Sequence, residues 1–228
     1  MKILAIETAT EACSAALYID GSIIHRYKLA PREHSRLILP MMDDLLNEAG
    51  ISLTQLDTLA FGRGPGSFTG LRIAAGIIQG SALGADLPVV PVSTLAALAQ
   101  DAIGRFSVDT IFVGIDARMG EIYWGLYGRN KNNLVALVGE EVVSKAIHVG
   151  CPDDIRGAGV GSGWKEYSKE LRKHLGERVV AVDGDCFPKA GNVAILAVDG
   201  FEKGLAVAAE TAIPVYLRDN VAKKSVVE

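Results

Sequence analysis

The glycine-rich segment at residues 62–72, GRGPGSFTGLR, constrains this fold more than any other stretch of the chain. It follows an apolar run at 59–61 that predicts a strand, and it precedes a helical pattern over 71–83. Such closely spaced glycines specify a backbone path that larger side chains would block. The segment therefore predicts a tight strand-to-helix elbow, and its constraining residues are Gly62, Gly64, Pro65, Gly66 and Gly70.

A turn of this kind can also cradle a phosphate, because backbone amides and a helix N-terminus favour an anion. However, no lysine follows Gly70, as a P-loop requires, and the glycines do not fall as Gly-x-Gly-x-x-Gly. We therefore favour a rigid elbow, with Ser67 or Thr69 capping the helix. Phosphate binding remains the alternative.

The predicted helix carries Gly76, Gly80 and Gly84 at four-residue spacing, so the three glycines form one stripe. Each glycine inside a helix costs about 1 kcal/mol relative to alanine. Close packing against another backbone would offset that cost. The sequence leaves open whether a helix of the same chain or a partner protein fills the groove.

Composition excludes some classes of function. The chain has 228 residues, which allows one large domain or two small ones. Its net charge is −4 and it has no long basic run, so we do not expect the chain alone to grip a nucleic acid. The small basic cluster Lys223–Lys224 predicts a solvated tail.

Cysteine and histidine usage predicts a reducing cytoplasm and no metal centre. Cys13, Cys151 and Cys186 are odd in number and lack disulfide or metal spacing, and the N-terminus shows no signal-peptide pattern. The four histidines are scattered, so we expect no histidine-based metal site.

The chain contains a hidden duplication. The strand ILAIE at 3–7 recurs as FVGID at 112–116, and both strands end in an acid. Further predicted strands follow each one, at 13–19 and 23–27 and at 122–128 and 134–138. Helices then follow in both halves, at 35–49 and 71–83 and at 165–175 and 189–203. The repeat predicts a duplicated ribonuclease-H-like α/β fold, as in actin, sugar kinases and heat-shock ATPases, with lobes at 1–104 and 105–228.

In that fold a nucleotide lies between the lobes, and the turn after each first strand holds phosphates. The first turn, ETATE, has no glycine, and the carboxylates of Glu7 and Glu11 would repel a triphosphate unless a metal intervened. We therefore expect an eroded nucleotide site with the remnants Glu7, Thr8, Thr10 and Asp116. The alternative is that Glu7 and Asp116 cap their turns or pair with nearby arginines.

Several motifs together resemble the TsaB family. They are IETATE at 6–11, His34-Ser35, FGRGPGSFTGLR at 61–72, PVSTL at 91–95, IDARMGE at 115–121 and PVYLR at 214–218. The resemblance is strong from residue 3 to about residue 125 and weaker over 131–210. The segment at 62–70 is its most specific part.

The resemblance implies a cytoplasmic protein that acts in the threonylcarbamoyl modification of adenosine 37 in tRNAs reading codons that begin with A. In that family TsaB is the non-catalytic companion of the transferase TsaD, its paralogue, and the small ATPase TsaE joins them. Family members also form homodimers when alone. The resemblance implies no membrane association, contact with tRNA only through the complex, and no tightly bound cofactor, with ATP or ADP possible in the complex.

TsaD carries a His-Met-Glu-Gly-His metal motif after the strand that follows the glycine-rich helix. Aligning Pro91 and Val92 with that place puts Thr94 and Leu98 where the histidines would stand. Leucine cannot bind a metal and threonine does not replace imidazole. We therefore expect neither a metal nor a catalytic residue in this chain.

The resemblance also implies that first-lobe helices contact the partner. The candidate interface residues are Leu37, Ile38, Met41, Met42, Leu45, Ile73, Gly76, Ile77 and Gly80. For Leu45, Ile73 and Ile77, ordinary core packing is the alternative. Two rival functions also remain: an ATP-dependent phosphotransferase or hydrolase of the actin-like fold, and a free-standing nucleotide-binding homodimer with a regulatory role.

Overall fold

The computed structural model describes residues 1–218, so the Lys223–Lys224 cluster lies outside the described residues. The first sheet has the strand order β3-β2-β1-β4-β5. These strands are β1 (Lys2–Glu7), β2 (Ala12–Ile19), β3 (Ser22–Leu29), β4 (Thr58–Gly62) and β5 (Val89–Val92). β1, β2 and β3 are antiparallel, whereas β4 and β5 run parallel to β1.

The second sheet repeats this topology. Its strands are β6 (Thr110–Arg118), β7 (Glu121–Arg129), β8 (Val135–Leu137), β9 (Val142–Ser144), β10 (Gly157–Val160) and β11 (Val179–Asp183). Their order is β8-β7-β6-β10-β11, with β9 also paired to β7, and the parallel and antiparallel pairs match those of the first sheet. The predicted duplicated ribonuclease-H-like fold is therefore confirmed.

The helices depart from the sequence predictions mainly at their ends. They are α1 (His34–Ala49), α2 (Phe68–Ala85), α3 (Thr94–Ile103), α4 (Ser162–Glu166), α5 (Ser168–Leu175) and α6 (Ala190–Glu202). α2 begins three residues earlier than predicted because Ser67 caps it, accepting the N–H of Gly70 at 3.4 Å. The predicted helix at 165–175 is two helices, separated at Tyr167. α3, β9, β10 and β11 were not predicted.

Each half sends one helix to the sheet of the other half. α3 packs on the second sheet, where Leu95 and Leu98 contact the cluster that contains Ile111. α6 packs on the first sheet, where Val193 joins the cluster that contains Ile3. The chain passes from the first sheet to the second between β5 and β6. However, α3 and α6 each pack on the sheet of the other half. The division at residues 104 and 105 stays a prediction.

The sheet-facing side of α1 corrects part of the predicted interface. Ile38, Met42 and Leu45 are buried, with 0%, 3% and 0% of their surface exposed, and they pack in the core over the first sheet. Their i, i+4, i+7 spacing puts them on the helix face that covers the sheet. The interface prediction is therefore wrong for these three residues. Among residues 1–218, no helix is long and apolar enough to cross a membrane.

Candidate functional site

The acid of the first turn is enclosed by protein. Glu7, the last residue of β1, is completely buried. Its Oε1 accepts the N–H of Ala9 at 2.6 Å, and its Oε2 accepts the hydroxyl of Thr94 at 3.0 Å. Burial raises the pKa of Glu7 to about 7, although these hydrogen bonds act to lower it. Glu7 thus caps its own turn, and both of its carboxylate oxygens are bonded within the protein.

Both threonines of this turn, Thr8 and Thr10, bond to backbone. The hydroxyl of the fully buried Thr8 donates to the carbonyl of Gly70 at 2.8 Å. The oxygen of Thr10, which is 8% exposed, accepts the N–H of Ala12 at 3.4 Å. The polar groups of the first turn are therefore used to hold the turn against its surroundings.

The glycine-rich elbow lies directly on this turn. A Cβ on Gly62 would stand 1.9 Å from Oε2 of Glu7, and a Cβ on Gly70 would stand 2.0 Å from the carbonyl oxygen of Thr8. A Cβ on Gly66 would stand 2.5 Å from the carbonyl oxygen of Ala9. These distances are too short for any side chain, so glycine at these positions permits the contact of elbow and turn.

Two amides of the elbow, those of Arg63 and Ser67, are used within the protein. The N–H of Ser67 donates to the carbonyl of Ala9 at 2.7 Å, and the N–H of Arg63 donates to the carbonyl of Val92 at 2.8 Å. A phosphate cradle needs such amides directed at open space. This arrangement does not fit a phosphate at these amides.

The acid of the second turn is also bonded within the protein. Oδ1 of Asp116 accepts the N–H of Arg118 at 2.8 Å and the hydroxyl of Tyr167 at 3.0 Å. Its Oδ2 lies 3.0 Å from Nη1 of Arg118. Nη2 of the same arginine lies 3.3 Å from Oε1 of Glu11 in the first turn. Arg118 therefore bridges the two turns. The sequence analysis did not predict this contact.

The positions aligned with the metal motif of TsaD are buried. Thr94 bonds to Glu7, and Leu98 packs in the core under the second sheet. Within residues 1–218, no group of three or more His, Cys, Asp or Glu side chains is placed to hold a metal ion.

A polar network joins the two halves beside the elbow. The hydroxyls of Ser93 and Tyr127 both donate to Oε1 of Glu141, and Nη2 of Arg63 lies 3.8 Å from Oε2 of this carboxylate. Burial and the neighbouring carboxylate raise the pKa of Tyr127 well above its ordinary value. Sequence reasoning missed this network because its members are far apart in the chain and Glu141 lies in the segment of weak resemblance.

The outer face of α1 and α2 is open. Gly76 and Gly80 are exposed, and a Cβ on either would meet no atom within 4 Å. Leu39 and Leu83 are 52% and 64% exposed. The remaining predicted interface residues, Leu37, Met41, Ile73 and Ile77, are partly buried at the edge of the core. In this structure no helix of the described chain fills the glycine stripe.

Comparison with known proteins gives a consistent assignment. The family model for TsaD, tRNA N6-adenosine threonylcarbamoyltransferase, matches residues 22–226. The Escherichia coli (strain K12) protein named tRNA threonylcarbamoyladenosine biosynthesis protein TsaB is 45% identical over 98% of this chain and 97% of its own length. Its namesake from Haemophilus influenzae is 39% identical, over 98% and 96%.

Solved structures give the same result. The structure described as YeaZ from Pseudomonas aeruginosa superposes with a TM-score of 0.87 at 42% identity, covering 95% of this chain and 99% of that one. A second structure, described as an uncharacterized protein with similarity to peptidase YEAZ from Pseudomonas aeruginosa, has a TM-score of 0.88 at 43% identity with the same coverage.

Proposed function

The chain belongs to the TsaB family of tRNA threonylcarbamoyladenosine biosynthesis proteins, and on that premise we propose that it is the non-catalytic partner of the transferase TsaD. TsaD would transfer the threonylcarbamoyl group to adenosine 37 of tRNAs that read codons beginning with A. TsaE would join the pair. This chain would support the transferase without contacting the reacting atoms.

The observation that carries this proposal is the open glycine stripe on α2. Glycines at four-residue spacing weaken a helix by about 1 kcal/mol each relative to alanine, and no described part of the chain packs into the groove at Gly76 or Gly80. A partner helix lying in that groove would recover the lost packing. The proposed partner surface comprises Leu37, Met41, Ile73, Gly76, Ile77 and Gly80.

The bonding of the acids at the two turns supports a non-catalytic role. Both oxygens of Glu7 are bonded within the protein, and Asp116 is paired with Arg118. A phosphotransferase would need such acids free to orient a metal or a water molecule. The rival, an ATP-dependent phosphotransferase or hydrolase, predicts turnover by the purified chain, whereas we expect none and only weak ATP binding. Isothermal titration with ATP and magnesium checks this, and a sub-micromolar site on the lone chain would contradict it.

The other partners follow from the same role. We propose that the chain is cytoplasmic, forms a homodimer when alone, and reaches tRNA only through the complex. ATP or ADP would be bound in the assembled complex and not tightly by this chain. A free-standing regulatory homodimer would instead bind nucleotide tightly without TsaD.

Reconstitution tests the proposed function directly. TsaD, TsaE, tRNA and threonylcarbamoyl-AMP are combined with and without this chain, and the modified nucleoside is measured. We expect the modification to depend on the chain, and the chain to co-purify with TsaD. Full modification without the chain, or transfer by the chain in the absence of TsaD, would contradict the proposal.

A further inference from the structure

Residues 207–218, here called the strap, follow α6 and run from the first lobe to the second turn. At its start, the backbone of Val207 forms two hydrogen bonds with Val89 on β5, at 2.8 and 2.9 Å. Farther along, Ala212 is completely buried, and its carbonyl accepts the side chain of Gln79 on α2 at 3.3 Å. The first part of the strap is therefore fixed to β5 and α2.

The middle of the strap contacts the elbow and the first turn of α2. The N–H of Val215 donates to the carbonyl of Arg63 at 2.8 Å. The ring of Tyr216 lies 5.4 Å from the ring of Phe68. The guanidinium carbon of Arg72 lies 3.9 Å from the centre of the Phe68 ring, and its Nε donates to the hydroxyl of Tyr216 at 3.4 Å. This aromatic cluster ties the strap to the helix that carries the glycine stripe.

The end of the strap holds the second turn. Arg218 pairs with the carboxylate of Glu121 and donates from Nη2 to the carbonyl of Arg118 at 3.3 Å. Arg118 and Met119 have φ angles of 64° and 58°, in the left-handed region that non-glycine residues rarely adopt. External contacts are needed to keep two such residues in place, and Arg218 supplies one of them.

We propose that the strap mechanically couples the N-terminal turn of α2 to the second turn, between the two halves of the molecule. Tyr216 and Arg218 are two residues apart, a span of about 7 Å, so little slack separates their anchors. A change at the α2 end would weaken the hold of Arg218 on the second turn, and the reverse must also follow because coupling is reciprocal. The inference does not depend on which protein binds α2.

A double-mutant cycle between Phe68→Ala and Glu121→Gln tests the coupling. The two residues lie in different halves, and the strap contacts both: Tyr216 lies against Phe68, and Arg218 pairs with Glu121. The effects on stability of substitutions at distant, independent sites are additive. If the strap couples them, Glu121→Gln should lower the melting temperature less than half as much in the Phe68→Ala background as in the parent.

A matched control cycle combines Phe68→Ala with Arg178→Ala. Arg178 bonds to the carbonyls of Leu175 and Cys151 in the second half and does not contact the strap. The melting-temperature shifts of Phe68→Ala and Arg178→Ala should add in the double variant. If the melting-temperature shifts of Phe68→Ala and Glu121→Gln add as closely as those of the control pair, the proposal is overturned.

Hydrogen exchange gives a second measurement that needs only a mild variant. In Phe68→Leu, which keeps an apolar side chain at the start of α2, the amides of residues 118–121 should exchange several-fold faster than in the parent. Amides in β10, which the strap does not contact, should be unaffected. Unchanged exchange at 118–121 would overturn the coupling even if the Phe68→Ala variant failed to fold.

Discussion

Gly62 lies directly against the carboxylate of Glu7: a Cβ on this glycine would stand 1.9 Å from Oε2 and 2.5 Å from the carboxyl carbon. The carboxylate of Glu7 therefore occupies the space that a side chain at position 62, the last residue of β4, would need. Because the carboxylate is completely buried and bonded to Ala9 and Thr94, moving it aside would break these hydrogen bonds inside the protein.

Gly62→Ala should destabilise the chain by about 3 kcal/mol, at the upper end of overpacking costs. For a chain of this size that corresponds to a fall in melting temperature of about 6–12 °C. The matched control is Gly76→Ala, at an open helical position, which should raise stability by about 1 kcal/mol. The double variant Gly62→Ala/Glu7→Ala should lose less stability than the two single losses combined. A Gly62→Ala variant that melts like the parent would show that the elbow and the turn are not in contact.

Stability should fall as pH rises from about 4.5 to about 7 because of Glu7. Its pKa in the folded chain is raised to about 7 by burial, so the folded state holds a proton that the unfolded state has already lost in this window. The stabilisation is fully present below the unfolded pKa and lost above the folded one. A shift of this size corresponds to about 3 kcal/mol.

Urea unfolding of the parent and of Glu7→Gln at pH 5 and pH 8 isolates this contribution. The glutamine variant cannot ionise, so its stability should change less between the two pH values, and it should be the more stable relative to the parent at pH 8. An identical pH dependence in both proteins would mean that Glu7 is ionised throughout.

The sequence predicted the local features of the site better than the packing between the halves. The elbow, a helix cap at Ser67 or Thr69, and the acids Glu7 at the end of β1 and Asp116 near the end of β6 were predictable, because each depends on neighbouring residues and strand periodicity. The crossing of α3 and α6 and the burial of Ile38, Met42 and Leu45 depend on which face of each helix meets a sheet. That choice is made by tertiary packing, which a pattern of apolar residues does not fix.

Glu141→Ala should cost about 2–4 kcal/mol, because the hydroxyls of the part-buried Ser93 and the buried Tyr127 lose their acceptor and Arg63 loses its counter-charge. Glu140→Ala, one position earlier and exposed, is the control and should be nearly neutral. Tyr127→Phe should cost about 1 kcal/mol, since it removes one hydrogen bond. Denaturant unfolding measures all three. Equal stability of the two glutamate variants would show that the Glu141 network does not stabilise the fold.

The lone chain should bind tRNA poorly at physiological salt. Non-specific affinity for a phosphate backbone depends on clustered positive charge, whereas the chain carries a net charge of −4. A gel-shift titration of the chain, of TsaD and of the two together is the measurement. Affinity should appear only when TsaD is present. Tight binding by the chain alone would contradict the proposal that tRNA is reached through the complex.

The affinity of Gly80→Leu for TsaD shows whether a partner helix lies in the groove at the glycine stripe. Because a Cβ at Gly80 meets nothing within 4 Å, the lone variant should melt no lower than the parent. If a partner helix lies in the groove, the added side chain should reduce the binding free energy by about 1–3 kcal/mol. The dissociation constant would then rise by about one to two orders of magnitude. Lys169→Leu puts the same side chain on the exposed face of α5 and should bind TsaD normally. Parent-like affinity of Gly80→Leu would contradict the account, and so would an equal loss in Lys169→Leu.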